Sequence, residues 1–194
     1  MNKRKFLTST AVAGMLPAAS SLAASTTDAG PVLLTLTGDI TRTNRGPFDA
    51  ALDQMMAKHG VKFEQAFTFS APSLRRLPSV TIKPTLEYDA KAHVLTGPLI
   101  STVLDAAGVK ASQTVHVGLR AVDGYNVAIS LRDARSYRMI IATHIDGQPL
   151  GLGGLGPQWA VYDADKLAPF KDKPLKERFG LCPWGLYLVD VKNA

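Results

Sequence analysis

The stretch Gly151–Tyr162, G-L-G-G-L-G-P-Q-W-A-V-Y, holds four glycines, of which Gly151, Gly153 and Gly156 make a literal G-x-G-x-x-G. A dinucleotide site needs that pattern between a strand and a helix whose N-terminus faces the pyrophosphate. Here Pro157 follows the last glycine directly, and Trp159-Ala160-Val161-Tyr162 has strand character. The stretch therefore reads as a glycine loop feeding a strand that carries an indole, not as a nucleotide fingerprint. Glycine permits positive φ and a close approach of backbone to another group. The loop is thus either a long connection or a ligand-lining segment, with Gly153 the candidate contact.

The rest of the chain alternates short strands with few helices. Strands are expected at Pro31–Ile40, Phe67–Phe69, Val80–Ile82, Thr114–Leu119, Tyr125–Ile129, Met139–Ile145 and Leu186–Val191. In Thr114–Leu119, Val115, Val117 and Leu119 share one face and His116 takes the other. Pro47–His59 reads as a helix with Pro47 in its first turn, Gly60 past its end, and Phe48, Leu52, Met55, Met56 and His59 as its stripe. Leu99–Ala107 reads as a second, ended by Gly108. Ser130 suits the cap of a short third helix through Tyr137. Asp123-Gly124 and Asp146-Gly147 mark tight turns. Ala164–Arg178, charged and holding Pro169 and Pro174, reads as a loop with short helical pieces. This mixture is α+β, mostly β, and not a doubly wound sheet.

Residues 1–23 read as a signal peptide. A basic start, Lys3-Arg4-Lys5, precedes a short apolar run and a small-x-small site at Ser21-Leu22-Ala23. Lys3-Arg4-Lys5-Phe6-Leu7 also has twin-arginine character with Lys for the first Arg, so Sec and Tat export both stay open. The apolar run is too short to span a bilayer. The expectation is an exported, periplasmic protein with one domain over Pro31–Ala194. Without its leader the formal net charge drops from +6 to +3 as Lys3, Arg4 and Lys5 leave. That is no nucleic-acid footprint. One cysteine, Cys182, excludes an internal disulfide and a multi-thiolate metal site. His59, His93, His116 and His144 show no zinc-ligand spacing.

Six short motifs follow one another in a telling order: L-T-L-T-G at Leu34–Gly38, T-G-P-L at Thr96–Leu99, D-G-Y at Asp123–Tyr125, D-G-Q-P-L at Asp146–Leu150, G-P-Q-W at Gly156–Trp159 and W-G-L-Y-L-V-D-V at Trp184–Val191. Together they resemble the oxidoreductase molybdopterin-binding domain, the sulfite-oxidase fold, in a small stand-alone form. Catalytic members of that fold ligate molybdenum through a cysteine in the stretch before T-G-P-L. Here that stretch, Val80–Tyr88, is V-T-I-K-P-T-L-E-Y and has none. Pro157-Gln158-Trp159 stands where the enzymes tend to have P-x-R, and Pro183-Trp184 where they tend to have K-W. Arg and Lys at such places hold the cofactor's phosphate through charged hydrogen bonds. An indole and a proline cannot.

Loss of the metal ligand and phosphate clamp, with gain of aromatic residues, resembles the periplasmic pterin-binding regulators of the PruR type. That resemblance implies a reduced pterin as ligand, no molybdenum cofactor, and a membrane-bound diguanylate cyclase/phosphodiesterase as partner. Trp159 and Trp184 are the candidate stacking walls with Tyr125 at the rim. Asp123 is the candidate reader of the pterin edge, and Arg120 the candidate donor to its carbonyl. Plainer roles stand beside these. Trp184 heads the last strand, a place that favours core, Asp123 suits a turn, Arg120 a solvated strand position, and Cys182 inert packing. Two other functions stay open: a molybdopterin-dependent oxidoreductase with an unusual ligand, and a protein-interaction module with a vestigial pocket.

Overall fold

The structure, a computed structural model, describes residues 30–110 and 114–193. The expected signal peptide and the leader up to Ala29 lie outside the described residues. A five-stranded sheet is built from β1 (Val32–Gly38), β2 (Phe67–Ser70), β5 (Val115–Ala121), β6 (Asn126–Ser130) and β11 (Leu186–Asn193), in the order β2-β1-β11-β5-β6. β1 and β11 run parallel, from Thr35 opposite Leu188 to Gly38 opposite Val191; the other pairs are antiparallel. A four-stranded sheet orders β3 (Ser79–Ile82), β4 (Leu95–Pro98), β8 (His144–Ile145) and β9 (Gln148–Pro149). β7 (Ile140–Ala142) and β10 (Trp159–Val161) form a separate antiparallel pair. Among the described residues the α-helices are α1 (Gln54–Lys58), α2 (Ala71–Arg75), α3 (Ile100–Ala106) and α4 (Leu131–Ser136), all short, and this is the mixed α+β architecture expected.

β5 shows how the sequence sets the sheet. Val115, Val117, Leu119 and Ala121 are buried, while His116, Gly118 and Arg120 face away from the core. The period of two leaves one face apolar and one polar. α3 (Ile100–Ala106) closes the core by burying Ile100, Val103 and Leu104. Seven residues are too few to hold a helix alone, and burial of about 1.5–3 kcal/mol per large apolar side chain supplies what propensity does not. Ser130 caps α4 (Leu131–Ser136), its Oγ accepting from the Asp133 N–H at 3.0 Å, as its position implied.

Two expectations need correction. The helix expected over Pro47–His59 forms only as α1 (Gln54–Lys58). Asp49 Oδ1 accepts from the N–H groups of Ala51 and Leu52, and the Asp53 carboxylate accepts from the Asp49 N–H and pairs with Arg45. Those side chains draw the backbone into a turn that competes with helix. Leu52 is 81% exposed as a result, while Met56 joins a small second core with Tyr187 and Leu188 on the outer face of the five-stranded sheet. Met139–Ile145 is not one strand. Thr143 breaks it, donating its N–H to Thr96 O and accepting at its own carbonyl from Leu150 N, so that β7 and β8 enter different sheets. Thr96-Gly97-Pro98 lies in β4 and runs directly into α3 through its N-cap Leu99. Gly97 is required there, because a Cβ on it would overlap the carbonyl of Ile141.

Candidate functional site

Between β3 and β4 the chain folds into a small hairpin. Thr85 pairs with Ala92, Leu86 N donates to Lys91 O at 2.9 Å, and Ala90 takes φ 55 to close the turn. Leu86 is buried and anchors the base. The hairpin presents Glu87 and Tyr88 to a cavity of about 280 Å³. The Tyr88 ring is exposed, yet burial of its hydroxyl, and then the Glu87 carboxylate beside it, push its pKa up to about 12, with the Trp184 indole pulling the other way.

The opposite wall comes from the β5–β6 turn and from residues 176–184. Asp123 Oδ1 accepts from the Tyr125 N–H at 2.9 Å across Gly124, which takes φ 93. That local bond makes the turn, and the other Asp123 carboxylate oxygen makes no hydrogen bond among the described residues. Tyr125 donates its hydroxyl to Gly180 O at 2.8 Å, tying the turn to the second segment while its ring stays 49% exposed. Asp165 joins both walls. Its Oδ2 accepts from the Thr85 N–H at 2.7 Å and its Oδ1 from Arg178 Nη1 at 2.7 Å.

Trp184, Tyr125 and Asp123 thus meet at one cavity, as the sequence suggested, and Glu87, Tyr88, Phe179 and Cys182 join them. Three candidates do not. Trp159 is 0% exposed, packs its ring 6.1 Å from Phe179 and 6.5 Å from Tyr88, and donates its Nε1–H to Cys182 O at 2.8 Å. It stands behind the wall, with no face left for a ligand. Trp184, which the sequence favoured for the core, is 37% exposed and lines the cavity. Arg120 lies on the outer face of the five-stranded sheet, in a separate cavity of about 580 Å³ with His116, Gly118 and Asp190, because alternation along β5 turns it away from the core. Gly153 borders neither cavity, and its φ of 93 serves the loop, which closes on itself through Gly154 N and Gly156 N to Gly151 O. No helix follows that loop, so the nucleotide reading is excluded by geometry. In the next motif Gln158 is a structural tie. Its Nε2 donates to Leu33 O and Leu186 O, both at 2.6 Å, which stitches the segment to β1 and β11.

Glu87 and Tyr88 are what sequence reasoning missed. Val80–Tyr88 was informative for its lack of a cysteine, but its last two residues, a carboxylate next to an aromatic, were a signal in their own right.

Cys182 lines the cavity, although it follows that stretch by about a hundred residues. Its side chain is buried, and burial pushes the thiol up to about 12; the hydrogen bonds with Tyr162 offset only part of that, and the Glu87 carboxylate adds to it. Among the described residues no three His, Cys, Asp or Glu side chains are grouped to hold a metal ion. Lys176 is, among the described residues, the one Lys or Arg lining the cavity, alongside the carboxylates of Glu87 and Asp123. As placed, these groups do not fit a thiolate-ligated molybdenum centre or a phosphate tail. They fit an uncharged or N–H-rich flat ring, with aromatic surfaces to stack on it and carboxylates to accept from it.

The comparisons with known proteins agree with this geometry at the level of fold. No curated protein sequence matches the chain. Among solved structures, the crystal structure of the sulfane dehydrogenase SoxCD from Paracoccus pantotrophus superposes with a TM-score of 0.55 at 11% identity, covering 83% of this chain and 38% of that one. At such identity the likeness concerns the fold, and this chain spans well under half of that protein's length. The sequence model of the oxidoreductase molybdopterin binding domain matches residues 56–153, a span that holds both the Glu87–Tyr88 hairpin and the Asp123–Tyr125 turn. On that match, with the sulfite-oxidase-like fold around it, the chain belongs to the oxidoreductase molybdopterin-binding domain family.

Proposed function

We propose that this protein binds a reduced pterin in the cavity between Tyr88 and Trp184 and uses it as a signal, not as a catalytic cofactor. One observation carries the reading. The single cysteine side chain that reaches the cavity is buried, while Tyr88, Tyr125 and Trp184 keep exposed aromatic surface around it. A pterin is a flat heteroaromatic ring with an amino and ring N–H edge. It stacks on phenol and indole faces, and Glu87 and Asp123 accept from its edge. Among the described lining residues Lys176 is the one Lys or Arg, and it shares the cavity with the carboxylates of Glu87 and Asp123, so the wall does not favour a phosphate tail. In this reading binding moves no bond. It orders the hairpin and the 176–184 segment against each other across the ligand, and that ordered surface is what a partner reads. The resemblance to PruR-type regulators makes the partner a membrane-bound diguanylate cyclase/phosphodiesterase and the compartment the periplasm.

The test is mass spectrometry of whatever small molecule copurifies with the exported protein, followed by anaerobic titration with tetrahydropterins. A copurifying pterin supports the reading. Membership in an oxidoreductase family favours a second reading, a molybdopterin-dependent oxidoreductase. Stoichiometric molybdenum after expression in a cofactor-making host would establish that reading and displace the first.

A further inference from the structure

The hairpin that carries Glu87 and Tyr88 is fastened from outside the cavity by an ionic cluster. His93 lies between two carboxylates, with Nδ1 2.6 Å from Asp146 Oδ2 and Nε2 3.0 Å from Asp89 Oδ2. A neutral imidazole has one N–H and can donate to only one of them; the imidazolium donates to both. Each carboxylate is also tied to backbone. Asp146 Oδ1 accepts from Val94 N at 2.9 Å, and its own N–H donates to Val94 O at 2.8 Å. Asp89 Oδ1 accepts from Lys91 N at 3.1 Å. Asp146 is held at φ 48 in the turn between β8 and β9, and Asp89 directly follows Tyr88. One proton therefore decides whether the imidazole donates to both carboxylates, linking Asp89 at the hairpin tip to Asp146 at the four-stranded sheet, or to only one of them.

We propose that Asp89, His93 and Asp146 form a proton-operated latch that positions the Glu87–Tyr88 wall, so that ligand binding in the cavity depends on pH. The inference rests on the reading of that cavity as the ligand site. His93 is a positioning residue, acting through Tyr88 and not on the ligand. The charges acting on the cluster are Lys91 beside Asp89 and Lys83 beside Asp146, and both favour ionised carboxylates. The hydrogen bonds that His93 donates to Asp146 and then to Asp89 raise its pKa above the ordinary value, and accepting them lowers both carboxylates. For the raised imidazole, the stabilisation is full below the unfolded value of about 6.5 and is lost as pH rises through the folded value. For the lowered carboxylates, it is present above about 3.9 and is lost as pH falls through their folded values. The latch is closed between those limits and releases on the alkaline side first for any protein kept near neutrality.

The experiment follows the amides of Lys91, His93 and Val94 by hydrogen exchange, as protection factors, alongside the His93 ring by NMR from pH 5 to 9. Native protein is compared with His93→Gln, and tetrahydropterin affinity is measured anaerobically at pH 6 and pH 9. The expected result is that protection falls through the His93 titration midpoint and that affinity drops about two- to fivefold, the range for an exposed charged pair. In His93→Gln, protection and affinity are lower at pH 6 and both are flat with pH. Protection that ignores the midpoint, or a His93→Gln hairpin as protected as the native one, overturns the latch. A hairpin that opens while affinity stays constant overturns its coupling to the cavity. If the hairpin opens with pH and no tetrahydropterin binds at any pH, the fastening stands, but the claim that it governs binding falls together with the pterin reading.

Discussion

Trp159 and Trp184 face each other across an antiparallel bridge, yet one indole is sealed in the core and the other stands at the cavity. The Trp159 N–H is spent on Cys182 O, one residue past the partner's neighbour Pro183. Trp184 precedes Gly185, whose φ of 60 starts the last strand, and its ring is left partly in solvent. The two residues therefore separate stability from binding within one stretch of structure.

Replacing Trp159 by Ala should cost roughly 3–5 kcal/mol of stability, because a fully buried indole leaves a cavity and the Cys182 carbonyl loses its donor. Replacing Trp184 by Ala should cost little stability and weaken tetrahydropterin binding by roughly 1–3 kcal/mol, on the scale of a base stacked on an aromatic ring. Thermal melts paired with titrations separate the two. A destabilised Trp184→Ala with unchanged affinity would return that indole to the core.

Arg120 and Gly153 supply negative controls. Arg120→Ala should leave pterin affinity within about twofold, within the spread of ordinary surface substitutions, because its side chain lines the other cavity. Gly153→Val should lower stability, since φ 93 is strained for a branched residue although its Cβ would meet open space. Loss of affinity in a folded Arg120→Ala would mean the ligand sits on the outer sheet face.

Much of this was legible because it is local. The alternation in Thr114–Leu119, the cap at Ser130 and the stripe of Leu99–Ala107 all rest on short-range rules, and β5, α4 and α3 follow them. The helix begun at Pro47 was not, because Asp49 and Asp53 bond the backbone into a turn. Nor was the break at Thr143, whose cause is a sheet partner at Thr96, far away in sequence. The same limit applies to the site. Asp123, Tyr125 and Trp184 each stood out alone, but which indole faced the cavity depended on how β10 pairs with β7 and on what covers it.

Cys182 should behave as packing. With its thiol pushed up to about 12 by burial, it should resist alkylation by iodoacetamide at pH 8 until the protein unfolds, and Cys182→Ser should retain pterin binding. The folded pKa lies above the unfolded value of about 8.5. This group's contribution to stability is therefore full below that value and declines as pH rises from there toward 12. Rapid alkylation of the folded protein at neutral pH would contradict the burial and reopen a ligand role for the thiol.

The most direct measurement is an anaerobic tryptophan-fluorescence titration with a tetrahydropterin on native protein, Tyr88→Ala and Trp184→Ala. A cavity that stacks a pterin between these residues predicts saturable quenching in the native protein with a Kd well below about a millimolar, a free energy more favourable than roughly −4 kcal/mol. It also predicts a clear loss of affinity in both variants, with their melting temperatures nearly unchanged. Absence of saturable binding below a millimolar, or equal affinity in all three proteins, would contradict it.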